Sequence, residues 1–141
     1  MLHIFSDASC SKKYGVGCYC ILSSLNDILD IKVYELMCHQ STTMEFMTIL
    51  NALESINNTE KLNISLYTDC NNFIKYTKTK KTNAIDEDII LRFDKIFYNN
   101  NINVIKIKGH SKKCDKTTKE QEIFHIIDKF ARKSLRNNKY K

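Results

Sequence analysis

Four carboxylates, Asp7, Glu45, Asp69 and Asp128, stand where a solvent-exposed charge is not the expectation. Asp7 closes the apolar run that begins Leu2-His3-Ile4-Phe5, and Asp69 closes the run from Leu62 to Tyr67. Glu45 and Asp128 interrupt the apolar periodicity of two segments that read as helices. Acids that strands and helices drive toward one place repel and raise one another's pKa, unless a cation shares them. Hard oxygen ligands without a Cys/His quartet suit magnesium or manganese. The expectation is therefore one metal site built from all four. Singly, each acid has an ordinary use. Asp7 could form a turn, Asp69 could cap a helix, and Glu45 could be a first-turn acid favoured by the helix dipole. Asp128 is hardest to dismiss, because an acid beside an apolar helix face costs stability unless it is paired. Lys129 and Arg132 are within reach to pair with it.

The chain that must position these acids has 141 residues, enough for one domain, 1–141, with a core that needs no staples. Hydrophobic residues make up 43% and charged residues 27%, a globular balance that excludes disorder. The apolar runs are too short to span a bilayer and the opening residues do not read as a signal peptide. An intracellular protein, cytoplasmic or nuclear, without membrane association is expected. Without export the six cysteines are read as reduced thiols, buried or half-buried, because they lack the spacing of a zinc site. The net charge of +6 suits a phosphate backbone as partner. It carries little weight alone, since the abundance of Asn, Ile and Lys matches an AT-rich genome, viral or parasitic.

Periodicity orders the elements as β-β-β-α-β-α-α-β-α. Strands are predicted over 2–6, 16–22 and 28–36, the last with Ile31, Val33 and Tyr34 as core candidates, joined by turns at 11–15 and 26–27. Ser41-Thr42-Thr43 offers N-cap chemistry to a helix whose stripe is Phe46, Ile49, Leu50, Leu53 and Ile56. A fourth strand covers 62–67, and Asp69-Cys70-Asn71-Asn72 opens a second helix that gives way near Lys80-Lys81. A third helix covers 86–98 and a fifth strand 102–107. The last helix covers 121–136, with Ile123, Phe124, Ile127, Phe130, Ala131 and Leu135 as its core face. Three meandering strands followed by two crossover strands predict an α/β fold, a mixed sheet with helices on both faces. Ligands in such sheets gather beyond strand ends, where the topology reverses.

Ser-Asp-Ala-Ser at 6–9, Thr-Thr-Met-Glu-Phe at 42–46, Tyr-Thr-Asp-Cys at 67–70 and Ile-Asp-Lys-Phe-Ala-Arg at 127–132 together resemble type 1 ribonuclease H. Lys108-Gly109-His110 falls between the third and fourth motifs, and the resemblance runs from residue 2 to about 136. It implies a ribonuclease H-like five-stranded mixed sheet and an endoribonuclease that hydrolyses the RNA strand of RNA–DNA hybrids. Carried over by position, Asp7, Glu45, Asp69 and Asp128 would hold two Mg2+ ions, for which Mn2+ could substitute. Such ions, ~4 Å apart, activate the attacking water and stabilise the leaving 3′ oxygen, leaving 5′-phosphate and 3′-hydroxyl ends. His110 would assist proton transfer or product release. Ser9, Cys10, Ser41 and Thr42 would meet 2′-hydroxyls and the minor groove, where short polar groups suit the task. Asn71, Asn72, Lys75 and Lys78 would meet the DNA strand or its phosphates. A monomer is expected.

Three departures accompany the match. The glycine-rich turn after the first acid is reduced to Gly15 and Gly17, and the tryptophan-rich basic protrusion of bacterial relatives is missing. The interval from His110 to Asp128 is expanded, which makes His125, one turn before Asp128, an alternative to His110. Two other functions fit the same residues: a DNA nuclease or junction resolvase of this fold, and a non-catalytic hybrid-binding module. Fold alone does not choose among them.

Overall fold

The structure is a computed structural model that describes residues 1–56, 60–108 and 118–137. The elements are β1 (Leu2–Cys10), β2 (Gly15–Leu22), β3 (Lys32–Leu36), α1 (Ser41–Glu54), β4 (Asn63–Thr68), α2 (Asn71–Thr79), α3 (Glu87–Asn99), β5 (Asn101–Lys106) and α4 (Lys119–Asn137). They form one five-stranded sheet in the order β3-β2-β1-β4-β5. β1, β2 and β3 pair antiparallel, while β1–β4 and β4–β5 pair parallel. The element order and the mixed sheet follow the periodicity of the chain.

Strand alternation sends successive residues to opposite faces, and each face has its own core. Ile4, Tyr19, Ile64 and Leu66 pack with Phe46, Ile49 and Leu50 of α1, Phe73 and Tyr76 of α2 and Phe93 of α3. On the other face Phe5, Val16, Cys18, Cys20 and Tyr67 pack with Ile123, Phe124, Ile127 and Ala131 of α4. Helices therefore cover both faces, three on one and α4 on the other. Phe5 and Tyr67 stack with ring centroids 4.3 Å apart and planes 3° from parallel, which locks the β1–β4 register.

Several local expectations are corrected. β1 continues past residue 6 to Cys10, because the hairpin ladder carries on to Cys10 opposite Gly15. Gly15 and Gly17 are thus strand residues, and the turn is Ser11 to Tyr14, closed by Ser11 N–H donating to Tyr14 O at 2.8 Å. β3 begins at Lys32 rather than 28. The Asp27 carboxylate accepts bonds from Ser23 N, Ser23 Oγ and Ser24 N, fixing a turn that residues 28–31 must leave before pairing starts at Tyr19–Lys32. Val33 is 43% exposed on this edge strand, and Phe130 is 38% exposed on the outer side of α4. Gln40, not Ser41, is the N-cap residue of α1, and no side chain caps that helix.

A candidate metal centre and nucleic-acid groove

Register brings the first and third acids together. Phe5 lies opposite Tyr67 in the parallel β1–β4 ladder, and that ladder ends there. Two residues further along each chain, Asp7 and Asp69 come level, Asp7 still inside β1 and Asp69 one residue beyond β4. Glu45 of α1 reaches this end of β1, where the Ala8 backbone N–H donates to its carboxylate. Oxygens of Asp7, Glu45 and Asp69 all lie within 4.8 Å of one another. Asp7 and Glu45 are buried and Asp69 is half-buried.

Glycine permits this approach. A Cβ on Gly17 would overlap the Thr48 side chain, and one on Gly15 would come within 2.6 Å of Met44 Sδ. Thr48 is fully buried and turns its hydroxyl to Met44 O at 2.7 Å. α1 thus lies directly on β2, at the height where Glu45 reaches the acids. Nothing in the residue types around Thr48 had marked it. The available signal was glycine inside a strand, which denotes a close backbone approach.

The electrostatics are those of crowded anions out of water. Burial pushes the Asp7 carboxyl up to about 11, reinforced by the charge of Glu45, a proton shared with Asp128 and the charge of Asp69. Burial also pushes Glu45 up, to about 8, together with the Asp69 charge. The hydrogen bond with Asp7 and the Ala8 backbone N–H pull Glu45 the other way. Glu45 Oε2 is buried with no hydrogen-bond partner among the described residues. Such a set, all oxygen and partly orphaned, has the donor chemistry of a hard divalent cation. The residues fit the ions that the sequence implied.

Asp128 sits on the inner side of α4, buried, and bonds to Asp7. It does not join the mutual three-acid set, and its Oδ1 lies 3.3 Å from Arg132 Nε. His125 is exposed on the same helix. His110 lies outside the described residues, as does Cys114. Cys18 and Cys20 are buried in the α4-side core, as the thiol reading expected. Burial pushes the thiols of Cys10 and Cys70 up to about 11, so neither provides a thiolate nucleophile near neutral pH.

Between the starts of α1 and α2 and the 79–84 segment lies a groove of about 650 Å3 lined by Thr42, Asn72, Lys75, Thr79, Lys81 and Asn83 among others. Asn72 Nδ2 donates to Thr42 Oγ1 at 3.2 Å, joining the starts of α2 and α1. Thr43 Oγ1 donates to Ala84 O at 2.8 Å, closing the groove's far wall. The N-cap residue of α2 is Cys70, so capping is not the use of Asp69, and neither α1 nor α2 carries a side-chain cap. Ser41 and Asn71 are the exposed first residues of the two helices. Ser9 and Cys10 end β1 beyond Asp7, half-buried. Lys78 is exposed but does not line the groove, and Lys80 turns away to place its ammonium 4.8 Å from the Phe97 ring centroid. Lys81 belongs to the basic 75–81 stretch read from the sequence, whereas Thr79 and Asn83 had not been singled out, because only the fold sets the 79–84 segment against α1.

A family model described as RNase H matches residues 1–135. The chain belongs to the RNase H family. No curated protein matches the chain. The RNase H family is one of nucleases acting on RNA–DNA hybrids, so this protein is a ribonuclease H hydrolase that binds nucleic acid. The family generally uses a divalent metal, and a cluster of acids able to hold one is present. Among the described residues no helix is long and apolar enough to cross a membrane.

Proposed function

We propose that the protein, acting as a single-domain monomer, is a metal-dependent endoribonuclease that cuts the RNA strand of RNA–DNA hybrids to 5′-phosphate and 3′-hydroxyl ends. Asp7, Glu45, Asp69 and Asp128 would hold two Mg2+ ions, or Mn2+ in their place. When bound, the ions supply Lewis acidity at the attacking water and the leaving oxygen. The carrying observation is that three carboxylates from β1, α1 and β4 converge within 4.8 Å, with the fourth bonded to Asp7.

The chain's own residues have three tasks in this reading. Asp7, at the centre of the acid network, is the ligand best placed to be shared by both ions. Asp69 is half-buried and so faces the side from which a scissile phosphate would enter. The groove takes the DNA strand. The N-termini of α1 and α2 present positive dipole ends to phosphate, and Lys75 and Lys81 add full charges. Thr42 and Asn72 bridge groove and centre, while Ser9, Cys10 and Ser41 would face the RNA strand, and Asn71 and Lys78 the DNA backbone. His110 is assigned the proton-transfer or product-release role over the exposed His125.

The test is cleavage of an end-labelled hybrid by purified protein in Mg2+, with the product ends analysed chemically. Asp7→Asn and Asp69→Asn are expected to lose turnover, and a chelator to abolish it. Cleavage that survives chelation would refute the metal mechanism. Cutting of branched DNA but not hybrids would reassign the substrate, and metal-independent hybrid binding without turnover would make the protein a binding module.

A further inference from the structure

The fourth acid keeps different company from the other three. Asp7, Glu45 and Asp69 form a mutual set, and within it a carboxylate oxygen of Glu45 stays unpartnered. Asp128 is instead held from two sides: by Asp7 across the site, and by Arg132 one helical turn further along α4. The Asp128 side chain is 12% exposed and that of Arg132 48%, so the guanidinium reaches from the water side to a nearly buried carboxylate. The i,i+4 spacing makes this contact a local property of α4.

We infer that Arg132 is a positioning residue, an internal counter-cation that occupies Asp128 and makes the two ion sites unequal by weakening one of them. The inference rests on the two-ion reading above. Two physical effects act in the same direction. The guanidinium neutralises a ligand that the second ion requires, and it sets a fixed positive charge beside the place that ion must enter. Coulomb repulsion at such separations is substantial wherever water is partly excluded. Because Arg132 is half exposed, it can swing into solvent when an ion displaces it, which keeps the obstacle modest. In the metal-free protein the same contact offsets part of the repulsion that Asp128 adds to the cluster.

Manganese titrations of the metal-free protein separate this role from simple support of the fold. Calorimetry gives the affinities, and electron paramagnetic resonance counts the bound Mn2+. The wild-type protein is expected to show one stronger and one weaker ion. Arg132→Gln should tighten the weaker one about two- to fivefold, the fold-change equivalent to a partly exposed ion pair. Arg132→Lys, which restores the charge, should bring the wild-type value back. Mn2+ should also raise the melting temperature of the Gln variant by more than it raises that of wild type. Arg132→Met, which keeps the apolar stem, serves as the neutral variant if Arg132→Gln does not fold. An unchanged or looser second ion in a folded neutral variant overturns the inference, as do two equal sites in wild type. No Mn2+ bound by either protein would instead overturn the metal reading on which it stands.

Discussion

Glu45 and Phe46 are neighbours on α1, both withdrawn from water, and they obey opposite rules. Phe46 meets Phe73 edge-on at 5.1 Å, Tyr76 at 5.5 Å and Phe93 at 6.3 Å, every contact between apolar faces that gain from burial. Glu45 is driven into the same interior with two more carboxyls and an orphaned oxygen. The roughly 100° turn between successive helical residues separates a region that holds the fold together from one that strains it. The aromatic cluster clamps α1, α2 and α3 to the sheet beside the crowded acids. In the proposed reading, function occupies the destabilised side of a helix whose other side is overdetermined.

That contrast can be broken most severely from the apolar side. Phe46→Ala should cost about 3–5 kcal/mol, by lost transfer energy plus the cavity left among three rings, measured by urea denaturation. A loss under 1 kcal/mol would mean that the cluster is not what anchors α1. Gly17→Ala should cost about 1–3 kcal/mol, because the new methyl overlaps buried Thr48 and forces α1 off β2. If α1 lifts, hybrid cleavage should fall with stability. Unchanged melting would show that the helix has room to spare.

Changes on the acid side should run the other way. Asp69→Asn is expected to stabilise the metal-free protein near pH 8 by about 1–2 kcal/mol while removing activity, since it deletes the charge that pushes up both buried acids beside it. A destabilised Asn variant would show that the acids support each other without metal.

pH sharpens the same comparison. Asp7 and Glu45 have folded pKa values above their unfolded ones, so the native state binds more protons than the unfolded chain. The stability they contribute is present below the ordinary carboxylate range and is lost as pH rises above it, through about 8 for Glu45 and about 11 for Asp7. Metal-free melting temperatures should therefore fall between pH 5 and 8, and added Mg2+ or Mn2+ should restore more at pH 8 than at pH 5. A metal effect independent of pH would contradict this. The smallest expected change is Thr43→Val, about 0.5–1.5 kcal/mol for the lost bond to Ala84 O, with weaker hybrid binding if the groove wall shifts.

Much of this was legible along the chain because it is local. Helical stripes, strand alternation and the i,i+4 reach from Asp128 to Arg132 need only the periods 3.6 and 2. The errors came where local pattern meets the edge of the fold. Val33 alternates like a core residue but lies on the outermost strand, and Phe130 belongs to a stripe wider than the surface α4 covers. The glycines were visible but misplaced, since a strand interior and a turn favour the same residue for different reasons.

The four acids, their element types and their family membership are written in residue identity and order, because each motif is short and sits on one element. The distances between the acids and the joining of Thr42, Asn72 and Asn83 into one groove are not. They depend on the β1–β4 register and on α1 resting directly against Gly17. Both arise from contacts between segments tens of residues apart, which no period along the chain encodes.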